Sequence, residues 1–130
     1  MDIIPYEKLP DKAKDFLEKY FSSYYIFKVT FSSSYNAVFK GGSSVNFNAK
    51  GEWSSIIGNG NEIPLEIIYK FAEDNIIEKE VKEVIETLKN KYTSFNIYRI
   101  IKKKNKYEIE INRNIAVIDI KGSILKIKNI

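Results

Sequence analysis

Two glutamates stand one residue apart in the run YEIEI, at Glu108 and Glu110. In an extended strand this spacing places both carboxylates on one face, roughly 7 Å apart. Paired carboxylates at such a distance can divide the work of glycoside hydrolysis between general acid and general base. A second acidic pair, Glu73 and Asp74, precedes Asn75. Alternating Glu along a strand is also what a solvated sheet face contains, and that reading is preferred here. The other familiar machinery is missing. The chain has no His and no Cys. Ser-His-Asp and Cys-His nucleophilic systems, thiolate chemistry and Cys-type zinc sites are thereby excluded, as is the commonest acid–base group and metal ligand near neutral pH. GGSS at 41–44 resembles a phosphate loop in composition but joins two strand-like runs and opens no helix, as anion cradles do. The expectation is a non-enzyme with no cofactor and no metal.

The elements around these residues follow from periodicity. In PDKAKDFLEKYF, Ala13, Phe16, Leu17, Tyr20 and Phe21 form one helical stripe, with Pro10 suited to the first turn and Asp11 to its positive end. Four strand-like runs follow, YIFKVTFS, YNAVFK, SVNFN and EWSSII, separated by SSS, GG and KG turn signals. In NIIEKEVKEVIETLKNKY, Ile77, Val81, Val84, Ile85 and Leu88 mark another helix, for which Asn75 and Glu78 form an N-cap pair. Then come NIYRIIK, KYEIEIN, IAVIDI and SILKIK. Pro64 opens a short extra helix carrying Ile67, Ile68 and Phe71.

The halves are one unit written twice. A shift of 71 residues sets Leu17 on Leu88, Phe21 on Tyr92, Ile26 on Ile97, Lys28 on Arg99 and Val29 on Ile100. One residue of slack brings Tyr35 onto Tyr107, after which Phe47 meets Ile118, Asn48 meets Asp119, Gly51 meets Gly122 and Trp53 meets Ile124. The predicted fold is α+β: two tandem repeats, each a helix plus a four-stranded antiparallel sheet, forming one roughly eight-stranded sheet with helices on one face. The 130 residues make one domain, with repeats at about 9–57 and 64–128.

Composition supports a folded chain that needs no staple. Aromatics are 14% of residues, and a domain this size buries about two-thirds of its unfolded surface. The net charge of +4 is mild, and acids interleave with bases throughout. KKKNK at 102–106 is the one dense basic run; between two strands it reads as a solvated hairpin turn, and no nucleic-acid partner is expected. No apolar run approaches the roughly 20 residues of a membrane-spanning helix. The N-terminus MDIIPYEKLPD has neither the basic nor the apolar region of a signal peptide.

The phrases YNAVFKGGSSVNFNAKGEWSSI and YEIEINRNIAVIDIKGSILKI, with LP before the first helix and IP before the second, resemble the PepSY-like, beta-lactamase-inhibitor-like family. That family's phrase is a Tyr-initiated strand, a Gly turn, a strand ending in an apolar-Asp pair, then Gly-x-Trp. Tyr35, Gly42, Phe47, Gly51 and Trp53 match it in the first copy; Tyr107, Ile118, Asp119 and Gly122 match it in the second. Asn48 stands where the family commonly has Asp, and Ile124 where it has Trp. The resemblance spans about Leu9 to Ile127. It implies an exported bacterial protein, periplasmic or secreted, whose signal peptide is absent from the chain as given. It also implies no established catalytic role, and a related shape that grips protein targets on its open sheet face.

Candidate binding residues are accordingly Lys28, Arg99, Tyr35, Tyr107 and Trp53. Lys28 and Arg99 should lie on the open face if Phe27 and Tyr98 point inward, and would meet an acidic partner. Trp53 is the sole Trp; it either fills the space between sheet and helix or anchors a partner. Tyr35 and Tyr107 open equivalent strands, which favours a structural role. The expected function is a non-catalytic envelope protein that binds a protein or peptide on its open face, with inhibition of an enzyme as one form of this. The alternative is a small-molecule or glycan-binding sensor. A monomer is expected, although sheet edges permit a dimer.

Overall fold

Pro10 fixes an extended entry (φ −55°) and releases the chain into α1, Asp11–Tyr20, whose apolar stripe buries Ala13, Phe16 and Leu17. The structure, a computed structural model, describes residues 2–129. Two compact units divide at Asn61 and Glu62. The first contains β1 (Asp2–Ile4), a 3-10 turn, α1, β2 (Ile26–Phe31), β3 (Tyr35–Phe39), β4 (Ser44–Phe47) and β5 (Trp53–Ile57). Each strand pairs antiparallel with the next. The second contains α2 (Leu65–Glu73), α3 (Lys79–Lys89), β6 (Ile97–Lys102), β7 (Lys106–Ile111), β8 (Asn114–Asp119) and β9 (Ile124–Asn129). Its strands also pair antiparallel in sequence order. The α+β class is as expected, with nine strands among the described residues instead of eight. The additional one, β1, is too short for periodicity to reveal.

The two cores differ in chemistry. In the first, Phe16 stands edge-on to Phe47, with centroids 5.6 Å apart, and lies nearly parallel to Trp53 at 6.2 Å. Phe21 stacks on Phe39 at 5.2 Å. Such aromatic pairs add to the area each ring buries. The second core is mainly aliphatic: Ile68, Val81, Ile85 and Leu88 from the helices and Ile97, Ile100, Ile109, Ile111 and Ile118 from the strands are all buried.

Strand alternation is interrupted at matching places in the two units. Phe27 is an extra residue in the β2–β3 ladder, and Tyr98 is its counterpart in β6–β7. Ser54 in β4–β5 and Leu125 in β8–β9 form a second such pair of bulges. A bulge shifts the phase of alternation. Phe27 is therefore not turned inward as strict alternation predicts, and it is 66% exposed.

Asn75 also departs from expectation. It adopts φ 60° and its N–H donates to the Ala72 carbonyl, while Ile76 N–H donates to Phe71. This is a Schellman closure of α2, so Asn75 ends one helix and does not cap the next. The KKKNK run is the β6–β7 hairpin, closed by Lys103 N–H donating to Lys106 at 2.8 Å. Among the described residues, no helix is long and apolar enough to cross a membrane.

Candidate binding face and its supporting turns

The repeated Lys-Gly phrase builds the corner that fixes each sheet against its helix. In the first unit Asn48 Oδ1 accepts from the N–H groups of Lys50 and Glu52, both at 3.0 Å. In the second, Asp119 Oδ1 accepts from Lys121 at 3.0 Å and Ser123 at 2.8 Å. Gly51 and Gly122 then take φ 86° and 89°, which L-residues avoid. A Cβ on Gly51 would stand 2.6 Å from Pro10 Cβ, and one on Gly122 3.1 Å from the Glu80 backbone oxygen. Each glycine thus lets a hairpin touch the first turn of its helix. The Asn48 departure has a local reason: its Nδ2 donates to Glu52 Oε1 at 2.9 Å. An Asp there would face that carboxylate. The equivalent of Glu52 in the second unit is Ser123, which accommodates Asp119.

Tyr107 serves the same helix junction. It is 2% exposed, and its hydroxyl donates to Glu78 Oε1 at 2.8 Å, just before α3. Burial, and then this hydrogen bond, push its pKa well above the ordinary 10.0. Tyr35 is half-buried and packs on Phe31, with centroids 4.6 Å apart. Trp53 is buried against Phe16. These three side chains lie on the helix-facing side of their sheets.

Lys28 and Arg99 lie on the opposite side. Lys28 is exposed opposite Val38, one place from the helix-facing pair Val29–Ala37. The bulge brings Phe27 out beside it, and Tyr25, just before β2, is 70% exposed. The rest of this face in the first unit is uncharged, with Thr30, Asn36, Asn46 and Ser55 in one register row. Asn46 Nδ2 donates to Ser55 Oγ at 2.8 Å.

The second unit's open face is charged. Arg99 pairs with Glu110, Nε to Oε1 at 3.4 Å, and Lys103 reaches Glu108 at 3.8 Å. Glu108 and Glu110 lie opposite Val117 and Ile115, which in turn lie opposite Lys126 and Lys128. In the Arg99 row the order across the strands is cation, acid, aliphatic, cation; in the Glu108 row Ile101 stands first and Lys103 reaches in from the hairpin. Both glutamates remain partly exposed, at 30% and 24% of the side chain. Carboxylates engaged with cations on a solvated strand face need no catalytic explanation. Among the described residues, no three acidic side chains cluster as a cation site.

Sequence reading missed Tyr25 and Phe27. The only available signal for Phe27 was its alignment with Tyr98, because a bulge leaves no mark in the apolar pattern itself.

Residues 33–126 match the family described as "Putative beta-lactamase-inhibitor-like, PepSY-like". The chain belongs to this family. Both Gly turns of the PepSY-like chain, with Asn48 and Asp119, lie inside the matched stretch. Its fold is similar to that of three solved structures. One is described as a putative periplasmic protein of the DUF2874 family from Bacteroides vulgatus, at 19% identity and TM-score 0.78, covering 98% of this chain and 96% of that one. Another, from Bacteroides thetaiotaomicron, is described as a putative calcium-regulated periplasmic protein, at 22% identity and TM-score 0.78 with the same coverage. A third, a putative periplasmic protein of unknown function from Bacteroides vulgatus, has 21% identity and TM-score 0.74 over 98% of both chains. No curated protein matches the PepSY-like chain in sequence.

Proposed function

We propose that this PepSY-like chain is a non-catalytic binding protein of the bacterial envelope that holds a protein or peptide partner on its open sheet face. Inhibition of an enzyme is the form of binding that the family description suggests. The observation that carries the reading is Phe27. A repeated bulge holds this large aromatic 66% exposed beside the cationic Lys28, with Tyr25 close in sequence. Aromatic side chains are enriched at interfaces, and a large ring left in water forgoes the apolar burial that a partner would give it. Arg99 occupies the matching place in the second unit. Tyr35, Trp53 and Tyr107 support the strands from the other side. Periplasmic placement is supported by the descriptions of the structural relatives. On this reading the molecule is a monomeric domain of two repeats, about 9–57 and 64–128.

The test is affinity capture from envelope extracts at moderate salt, comparing the native chain with F27A and with K28A/R99A. A protein enriched by the native chain and lost with both variants supports the reading, and its activity can then be assayed for inhibition. Enrichment that survives both variants removes the open face from the interaction. The small-molecule or glycan reading is supported by the groove between α2 and α3, about 540 Å³, lined by Tyr69, Glu73, Lys79 and Lys82. Thermal shift against glycan and metabolite panels tests it.

A further inference from the structure

The last strand of the second unit is exposed along its entire described length. Strand β9 pairs with β8 on one side, and its other edge is free among the described residues. Every second residue of such an edge directs its N–H and C=O outward, where another strand can bond to them. The side chains on its two faces are sharply divided. Lys126 and Lys128 stand on the open face, opposite Val117 and Ile115. On the helix-facing side Ile124 is 42% and Ile127 48% exposed; the bulged Leu125, 55% exposed, interrupts the alternation between Ile124 and Lys126. A strand added beside β9 would therefore place one row of its side chains against lysines and the alternate row against isoleucines.

We propose that the β9 edge is a docking site for an extended peptide segment that alternates acidic and apolar residues, bound by strand addition. Charge complementarity selects this occupant. Carboxylates on the open face would complete the lateral order of cation, acid, aliphatic, cation with a further acid. The apolar residues would cover Ile124 and Ile127 from water. A second copy of β9 fits poorly: antiparallel pairing across a two-fold axis sets Lys126 and Lys128 against lysines, and like charges directly opposite are destabilising. The same lysines that deter self-pairing favour an acidic strand. This mode, in which main-chain bonds give affinity and alternate side chains give selectivity, is a general route of peptide recognition. The inference concerns the edge and is independent of the open-face proposal.

The experiment is an NMR titration of the full chain with the synthetic peptides acetyl-EVEVEVE-amide and acetyl-KVKVKVK-amide. The expected result is that the acidic peptide shifts the β9 amides and binds about tenfold more tightly than the basic one, as two favourable cross-strand charge pairs imply. K126E/K128E, altered only at exposed side chains, should reverse that preference. K28A/R99A should leave it unchanged, so failure at the edge and failure at the open face are read separately. Equal affinity for both peptides, shifts confined to other strands, or no shift up to about 1 mM peptide overturns the proposal. A concentration-dependent dimer through β9 overturns it in favour of a second copy.

Discussion

Tyr107 illustrates how one hydroxyl ties a strand to a helix. Removing it by Tyr107→Phe strands the Glu78 carboxylate without its 2.8 Å donor, and a bond to a charged acceptor contributes about 2 kcal/mol. Urea unfolding at neutral pH should register a loss of that order. The raised pKa adds a pH signature. Below the ordinary tyrosine pKa of 10.0 the phenol is neutral in both folded and unfolded chains; above it, the unfolded chain releases the proton and the folded one retains it. Stability should therefore fall as pH rises beyond about 10, and Tyr107→Phe should remove that part of the fall. Three glycines offer a cleaner comparison. Gly51, Gly122 and Gly60 share φ near 86–89°, but only Gly60 has open space where a Cβ would stand. Gly60→Ala should cost about 1 kcal/mol for backbone conformation alone. Denaturant midpoints should then fall in the order Gly60→Ala, Gly122→Ala, Gly51→Ala, the last showing the greatest loss, since its Cβ would overlap Pro10.

At the scale of elements, the two Lys-Gly hairpins solve one problem with different side chains. Asn48 works with Glu52, and Asp119 works with Ser123. Asn48→Asp matches the second copy and yet should destabilise, by about 1 kcal/mol, because it replaces a hydrogen bond by two facing carboxylates. The double variant N48D/E52S should recover most of the loss; if the single variant is neutral in thermal melts, the pairing of Asn48 with Glu52 is unimportant. Helices, hairpin order and turn glycines were legible because each rests on local chemistry: period, φ preference and capping. The Schellman closure at Asn75 was not, since an Asn near a helix start and one past a helix end look alike until the chain direction around it is known. The bulges at Phe27 and Tyr98 were not legible either, because they depend on which residues the neighbouring strand offers.

For the molecule as a whole, the exposed residues proposed for binding and the residues that pack each core sit on opposite sides of their strands. Phe27→Ser should change stability by less than about 0.5 kcal/mol, as surface substitutions do, while weakening any open-face partner. A matching loss of thermal stability would mean that Phe27 is part of the packing and would withdraw the main support for the binding reading. Lys28 and Arg99, aligned by the repeat, stand on the side of their strands away from the core residues, although Phe27 is not turned inward and their settings differ. Lys28 adjoins exposed aromatics, whereas Arg99 is engaged with Glu110. Positions equivalent in the sequence repeat can therefore have different surroundings.

The sequence by itself determined the α+β class, the duplicated helix-and-hairpin order, the family, and the absence of His- and Cys-based chemistry. Those follow from residue types and from spacing along the chain. Tertiary structure decided which side chains are left in water. It placed Trp53 and Tyr107 inside, brought Phe27 out, gave Glu108 and Glu110 to cations, and left the outer edge of β9 without a neighbour among the described residues. Exposure depends on contacts between residues far apart in the chain, and a single shifted register reverses it.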